Sequence, residues 1–136
     1  DLSMFKDGTV DEIYASHILE HFSHTKTLGV LSEWGRVLKK GGKIYIAVPD
    51  FKATIEIYLE IGLVPWVVNF LYGDQGYPLA YHYTAFTFAT LSKHLIDAGF
   101  TDVKRINPMP YGVKDCSTLV STVTRKNVSL NVMAIR

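Results

Sequence analysis

The chain has one cysteine, Cys116, in 136 residues, so no disulfide framework can form within it, and a stapled secreted scaffold is excluded. A lone thiol suits a reducing cytoplasm, which is the expected location. No run of 18 or more apolar residues occurs and no charged-then-apolar leader precedes the first elements, so no membrane partner is expected. Charge of one sign is missing too. The formal net charge is +1, and Lys39, Lys40 and Lys43 form only a small solvated corner. A nucleic-acid surface normally shows as a basic stripe, so no nucleic-acid partner is expected. No G-x-G occurs anywhere, and the closest glycine pairs are Gly41 with Gly42 and Gly73 with Gly76. Internal repeats and low-complexity tracts are absent as well. No Met opens the chain, and Asp1-Leu2-Ser3-Met4-Phe5 reads like the interior of a domain, so a piece of something larger is expected.

What is present is an ordinary globular composition, 48% hydrophobic and 20% charged, enough for one domain with a real core. Glu12 to Ser16 reads as a short buried strand. From about Thr25 to Lys39, Leu28, Leu31, Trp34 and Leu38 recur at helical spacing, widened by Val30 and Val37. Gly41-Gly42 is expected to cap that helix. Lys43 to Val48 alternates as a second strand ended by Pro49. Residues 50–86 read as a helical and loop insert, with helices over Phe51 to Ile61 and Pro65 to Tyr72 and a loop over residues 73–78. Thr87 is a good N-cap for a helix carrying Leu91, Leu95 and Ala98, closed by Gly99. Asp102 to Ile106 and Val128 to Ile135 read as the last strands, while 117–124 has no assignment. Strands alternating with helices predict an α/β layer with a mostly parallel sheet and an antiparallel closing pair.

The densest chemistry lies in "SHILEHFSH", residues 16–24. His17-Ile18-Leu19-Glu20-His21 fits H-x-x-E-H, the pattern of an inverted zinc-protease motif. That reading needs His17 and His21 on one helical face, Glu20 to activate water, and a third ligand such as Glu56 or Glu60. The stretch, however, follows a strand-like run, and the long helix starts only near Thr25. The preferred reading is a strand-to-helix connection at the carboxyl end of a parallel strand, where open α/β sheets hold ligands. His24 reads as a solvated loop residue, and no metal ligand set is assigned.

The flanks choose between these readings. "VDEIYASHILEHF", "LSEWGRVLKKGGKIYIAVPDF" and "LSKHLIDAGFTDVKRI" together resemble the class I S-adenosylmethionine-dependent methyltransferases over nearly the whole chain, and the closing "VSLNVMAIR" fits that family's last strand. The resemblance implies an α/β fold: a partial Rossmann-like methyltransferase sheet whose strands are equivalent to the fourth to seventh of the family, with helices packed on it. It makes S-adenosylmethionine the expected cofactor. Asp1, Ser16, His17, Leu19 and Glu20 fall where the family binds it. Pro49, Asp50, Gln75, His82 and Tyr83 fall on the acceptor side. His17, His21 and His82 are the candidate bases, since histidine titrates near neutrality. Trp34 and Arg36 look structural.

The departure is the Gly-rich turn and the earlier strands, which have no counterpart in this sequence. A single truncated methyltransferase-like domain, 1–136, is therefore expected. It would act on a small polar acceptor and be incomplete as a monomer. An unpaired strand edge near residues 12–16 predicts a homodimer, or a partner that supplies the missing half. A non-catalytic association module and, more distantly, a zinc hydrolase built on His17, Glu20 and His21 are the competing readings.

Overall fold

The computed structural model describes residues 2–107, 109–122 and 125–136. Asp1 lies outside the described residues. The order is β1 (Val10–Ser16), α1 (Thr27–Val37), β2 (Leu38–Pro49), α2 (Phe51–Ile61), α3 (Pro65–Tyr72), α4 (Phe88–Asp97), β3 (Thr101–Arg105) and β4 (Ser129–Ile135), with short 3-10 turns at Leu19–His21, Pro110–Gly112 and Cys116–Thr118. The strands form one sheet in the order β1-β2-β4-β3. β1 pairs parallel with β2, and β4 runs antiparallel to both β2 and β3. Three strands thus share one direction and the last one opposes them. The expected closing pair is antiparallel, but a long connection joins β3 to β4 instead of a tight hairpin.

Alternation along the strands decides which side chains enter the core. Ala15, Ile44, Ile46, Val48, Leu130, Val132 and Ala134 meet Leu31 and Trp34 of α1 and Leu91 and Leu95 of α4 in a single apolar cluster. Burying such side chains contributes roughly 1.5–3 kcal/mol each. α4 begins on a reciprocal capping box between Thr87 and Thr90. It ends where Phe100 N–H donates to Leu95 O at 3.0 Å, beside Gly99 at φ +88°. The intervening residues of the strands face the other side, where residues 109–119 cover them. There Tyr14 donates to Asp115 at 2.8 Å, Asn131 Nδ2 donates to Ser117 O at 3.0 Å, and the Tyr111 ring meets those of Tyr14 and Tyr45 edge-on.

Gly41-Gly42 does not cap α1. The helix ends at Val37, and Leu38, buried in the core, already has extended backbone. The register jumps from Val10↔Leu38 to Glu12↔Lys43, so residues 39–42 bulge out of the ladder. Gly41 there takes φ +80°. A Cβ on Gly42 would lie 2.9 Å from Asp11 O and Lys39 O. The glycines therefore serve the bulge, and burial of Leu38 pulls the chain into the sheet earlier than helical periodicity suggests.

Residues 50–86 leave the sheet and return to it. Asp50 and Phe86 form an isolated parallel bridge, and Ile57 and Val67 join Val128 in a second, smaller apolar cluster. The free edge of β1 is less apolar than the sequence suggests. Asp11 and Glu12 are exposed on it; Lys39 pairs with Asp11 at 2.6 Å, and Tyr111 donates to Glu12.

Candidate functional site

β1 ends by handing its ladder to a left-handed residue. His17 N–H donates to Ala47 O at 2.8 Å while His17 takes φ +54°, which turns the chain out over the carboxyl end of the sheet. Leu19–His21 is only a 3-10 turn, so His17 and His21 do not share an α-helical face. The stretch is the strand-to-helix connection, as preferred.

Leu19 and Glu20 are both 0% exposed, but they are used differently. Leu19 belongs to the main apolar cluster. Neither carboxylate oxygen of Glu20 accepts a hydrogen bond, although Oε1 lies 3.2 Å from His17 Nδ1. The other ring nitrogen explains that approach. Ser129 Oγ donates to Cys116 O at 2.6 Å, so its lone pairs are left to accept from His17 Nε2 at 2.9 Å. In the neutral ring, Nδ1 then carries a lone pair facing a carboxylate.

The insert closes over this turn. Tyr83 N–H and Thr84 N–H both donate to Glu20 O, at 2.8 and 3.2 Å, and His82 N–H donates to Tyr72 O at 3.0 Å. Thr84 Oγ1 donates to Phe22 O at 2.7 Å. These bonds set the His82 ring 4.9 Å from that of His21, edge to face. Burial holds the His82 ring below the usual histidine range, opposed by its bond to Phe70 O and by the Glu20 charge. One ligating atom each of Glu20, His21 and His82 lies within 4.8 Å of the others.

A cavity of about 260 Å³ opens here, and His17, His21, Pro49 and His82 line it. Five anticipated site residues therefore converge: His17, Glu20, His21, Pro49 and His82. Ser16 sits half-buried at the end of β1, in register with Ala47. Asp50 is buried and occupied: its carboxylate accepts from Lys52 N–H at 3.0 Å, capping α2, and lies 3.4 Å from Arg105. Gln75 is exposed on the loop after α3 with φ +58°, and Tyr83 is exposed and stacked on Tyr81. Neither lines this cavity. Sequence reasoning missed Asn69, Gly73, Cys116 and Leu119, which do line it. Asn69 carries a readable signal, as the one polar side chain in "WVVNFLY". Burial raises the Cys116 thiol above its usual range, helped by the Asp115 and Glu20 charges.

Strand order, helices on one face and a cavity at the carboxyl ends of β1 and β2 make this a Rossmann-like methyltransferase sheet, the fold of the class I S-adenosylmethionine-dependent enzymes. The resemblance read from the sequence holds. Residues 1–46 match the model of a methyltransferase domain family. Among solved structures, the chain is similar to a SAM-dependent methyltransferase from Archaeoglobus fulgidus (18% identity, TM-score 0.61), covering 99% of this chain and 63% of that one. It is also similar to a chain of the complex between the Haloferax volcanii Trm112 methyltransferase activator and a methyltransferase (16% identity, TM-score 0.59, 96% of this chain and 55% of that one). A third is the Burkholderia thailandensis 1,6-didemethyltoxoflavin-N1-methyltransferase with bound 1,6-didemethyltoxoflavin and S-adenosylhomocysteine (16% identity, TM-score 0.53, 96% and 45%). The chain thus spans about half the length of these structures. No curated protein sequence matches it. Among the described residues, no helix is long and apolar enough to cross a membrane.

Proposed function

We propose that this chain carries the acceptor side of a methyl-transfer site, in a protein that moves a methyl group from S-adenosylmethionine to a small polar acceptor. The observation that supports it is the cavity at the carboxyl ends of β1 and β2, lined by His17, His21, Pro49 and His82. It lies where open α/β sheets bind ligands. The residues present fit only part of the cofactor. Ser16, His17 and Glu20 offer polar groups for its methionine end, but no described residues form a Gly-rich turn behind a strand to cradle a nucleoside. We therefore assign the chain's own residues two tasks. The cavity wall holds the acceptor, a proximity effect, and His21 or His82 takes up a proton where the acceptor must lose one.

The rest of the cofactor site has to come from beyond β1. On this reading β1, an edge strand among the described residues, pairs with a second copy or with a partner that completes the sheet, in the cytoplasm. A structurally similar methyltransferase is found in complex with an activator, which supports a protein partner. Asp11 and Glu12 on the edge disfavour pairing with an identical acidic edge, which favours a partner with basic residues there over a homodimer.

Calorimetric titration with S-adenosylmethionine, with the oligomeric state recorded in the same buffer, tests the proposal. Saturable binding tighter than roughly 100 µM, about −5.5 kcal/mol, is expected in the state where β1 is paired. An assembly with β1 paired that gives no heat would leave a non-catalytic association module as the reading.

A further inference from the structure

From the ring of groups around Glu20, we infer a divalent-metal site formed by Glu20, His21 and His82, with its open coordination position facing the cavity. The inference does not depend on the methyl-transfer reading, and with an ion bound neither His21 nor His82 is left to take up a proton. Three independent features of the structure lead to it.

The first is convergence. Three of the five histidines line the cavity, and one ligating atom each of the buried Glu20 and of His21 and His82 lies within 4.8 Å of the others. One ion at about 2.0–2.2 Å from each nitrogen or oxygen needs its ligand atoms no more than about 4.4 Å apart, so small side-chain rotations bring the trio to ligating distance. Two histidines with one carboxylate is a donor set that zinc and similar first-row ions accept.

The second is the way the rings are held. His21 Nδ1 lies 3.0 Å from Tyr81 O, and His82 Nδ1 lies 3.1 Å from Phe70 O. A carbonyl only accepts, so each Nδ1 carries the hydrogen and each Nε2 keeps its lone pair. Metal-binding histidines are fixed in this manner, one nitrogen donating to a backbone carbonyl and the other left for the ion. Two adjacent rings are tied down alike, from two segments about sixty residues apart in sequence.

The third is Glu20 itself. It is fully buried, yet neither oxygen accepts a hydrogen bond, and its close neighbour His17 already offers a hydrogen to Ser129. His17 Nδ1, 3.2 Å from Oε1, balances the charge only when that ring is protonated, and a buried carboxylate that accepts no hydrogen bond is costly. A cation between Glu20 and the two rings supplies the missing partner, and His17 then serves as a positioning residue behind the carboxylate. Cys116 lines the same cavity but stands outside the converging trio.

The test uses the whole chain, dialysed against a chelator and then titrated with Zn²⁺ alone, by calorimetry and by following the melting temperature. One ion per chain is expected, with a melting temperature that rises with Zn²⁺ concentration. Losing even an outer partner of a metal ligand typically weakens binding about 10–100-fold. Glu20→Gln and His82→Gln should therefore each weaken binding at least that far, while Cys116→Ser leaves it unchanged. Circular dichroism of each variant confirms the fold, and Glu20→Gln keeps the shape of the side chain. A folded wild-type chain that takes up no Zn²⁺ would overturn the site. Binding that survives both Glu20→Gln and His82→Gln, or that vanishes in Cys116→Ser, would overturn it equally.

Discussion

Between the sheet and helices α1 and α4, the packing is apolar: Leu31, Leu91, Leu95, Ile46 and Val132 are all nearly or wholly buried in one cluster. At the carboxyl ends of β1 and β2 the chain instead buries the Glu20 carboxylate with no hydrogen bond from the described residues, holds His17 at φ +54°, and ties the loop after α3 to Glu20 O. The first region is stabilised by removal of apolar surface from water, which is non-directional and tolerant. The second carries a buried carboxylate without hydrogen bonds and a left-handed residue, and backbone strain of that kind persists only where the surroundings over-determine it. The contrast separates what holds the molecule together from what it is built to hold.

The largest expected effect lies in the first region. Leu95→Ala removes a fully buried side chain and should cost about 2–5 kcal/mol, read as a shift in the denaturant midpoint with the site's exchange protection falling in step. Next comes the insert. Gly73 has φ +77°, and a Cβ there would sit 1.7 Å from Ala80 O. Gly73→Ala should cost at least about 1–2 kcal/mol from the backbone conformation alone. It should also speed amide exchange at His82, whose N–H bonds to Tyr72, while leaving the amides of β2 and β4 protected. Equal loss in both regions would break the comparison. Thr87→Ala, which removes the capping box of α4, should cost about 1 kcal/mol in thermal unfolding.

The smallest effect is a pH dependence on the far face of the sheet. Burial alone would raise the Asp115 carboxyl, but hydrogen bonds from Ser117 and Tyr14 outweigh it and bring it down to about 2. Because the folded value is depressed, this contact stabilises the fold above the ordinary carboxylate range. Its contribution fades as pH falls from about 4 towards 2. Asp115→Asn should flatten the acid limb of the stability curve over that window, and an unchanged limb would remove Asp115 from the account.

The apolar region was legible because helix and strand periods write themselves into the sequence. Leu91 and Leu95 after Thr87 marked α4, and Ile44, Ile46 and Val48 marked β2. Where tertiary burial overrode local signal, reading failed: Gly41-Gly42 looked like a helix cap but serves a bulge, because Leu38 enters the core. The site was half legible. H-x-x-E-H at the end of a strand marked the turn at the carboxyl end of the sheet, where Glu20 and His21 lie near His82. Nothing local tells that His82 docks on His21, since the bonds that bring them together join residues about sixty apart, such as Tyr83 N–H to Glu20 O. Pairing of the Asp115 carboxylate with Tyr14 is equally remote. Gln75 and Tyr83 were named from their place in the insert alone, and they lie on its outer surface.

The claim that the carboxyl ends of β1 and β2 form the ligand site is tested most directly by amide chemical shifts of labelled protein titrated with S-adenosylhomocysteine. Saturable shifts concentrated at Ser16 to His21 and at Tyr81 to Tyr83 are expected, with β3 and the outer face of α4 unmoved. Saturable shifts centred elsewhere, for example on residues 109–119 across the sheet, would contradict it.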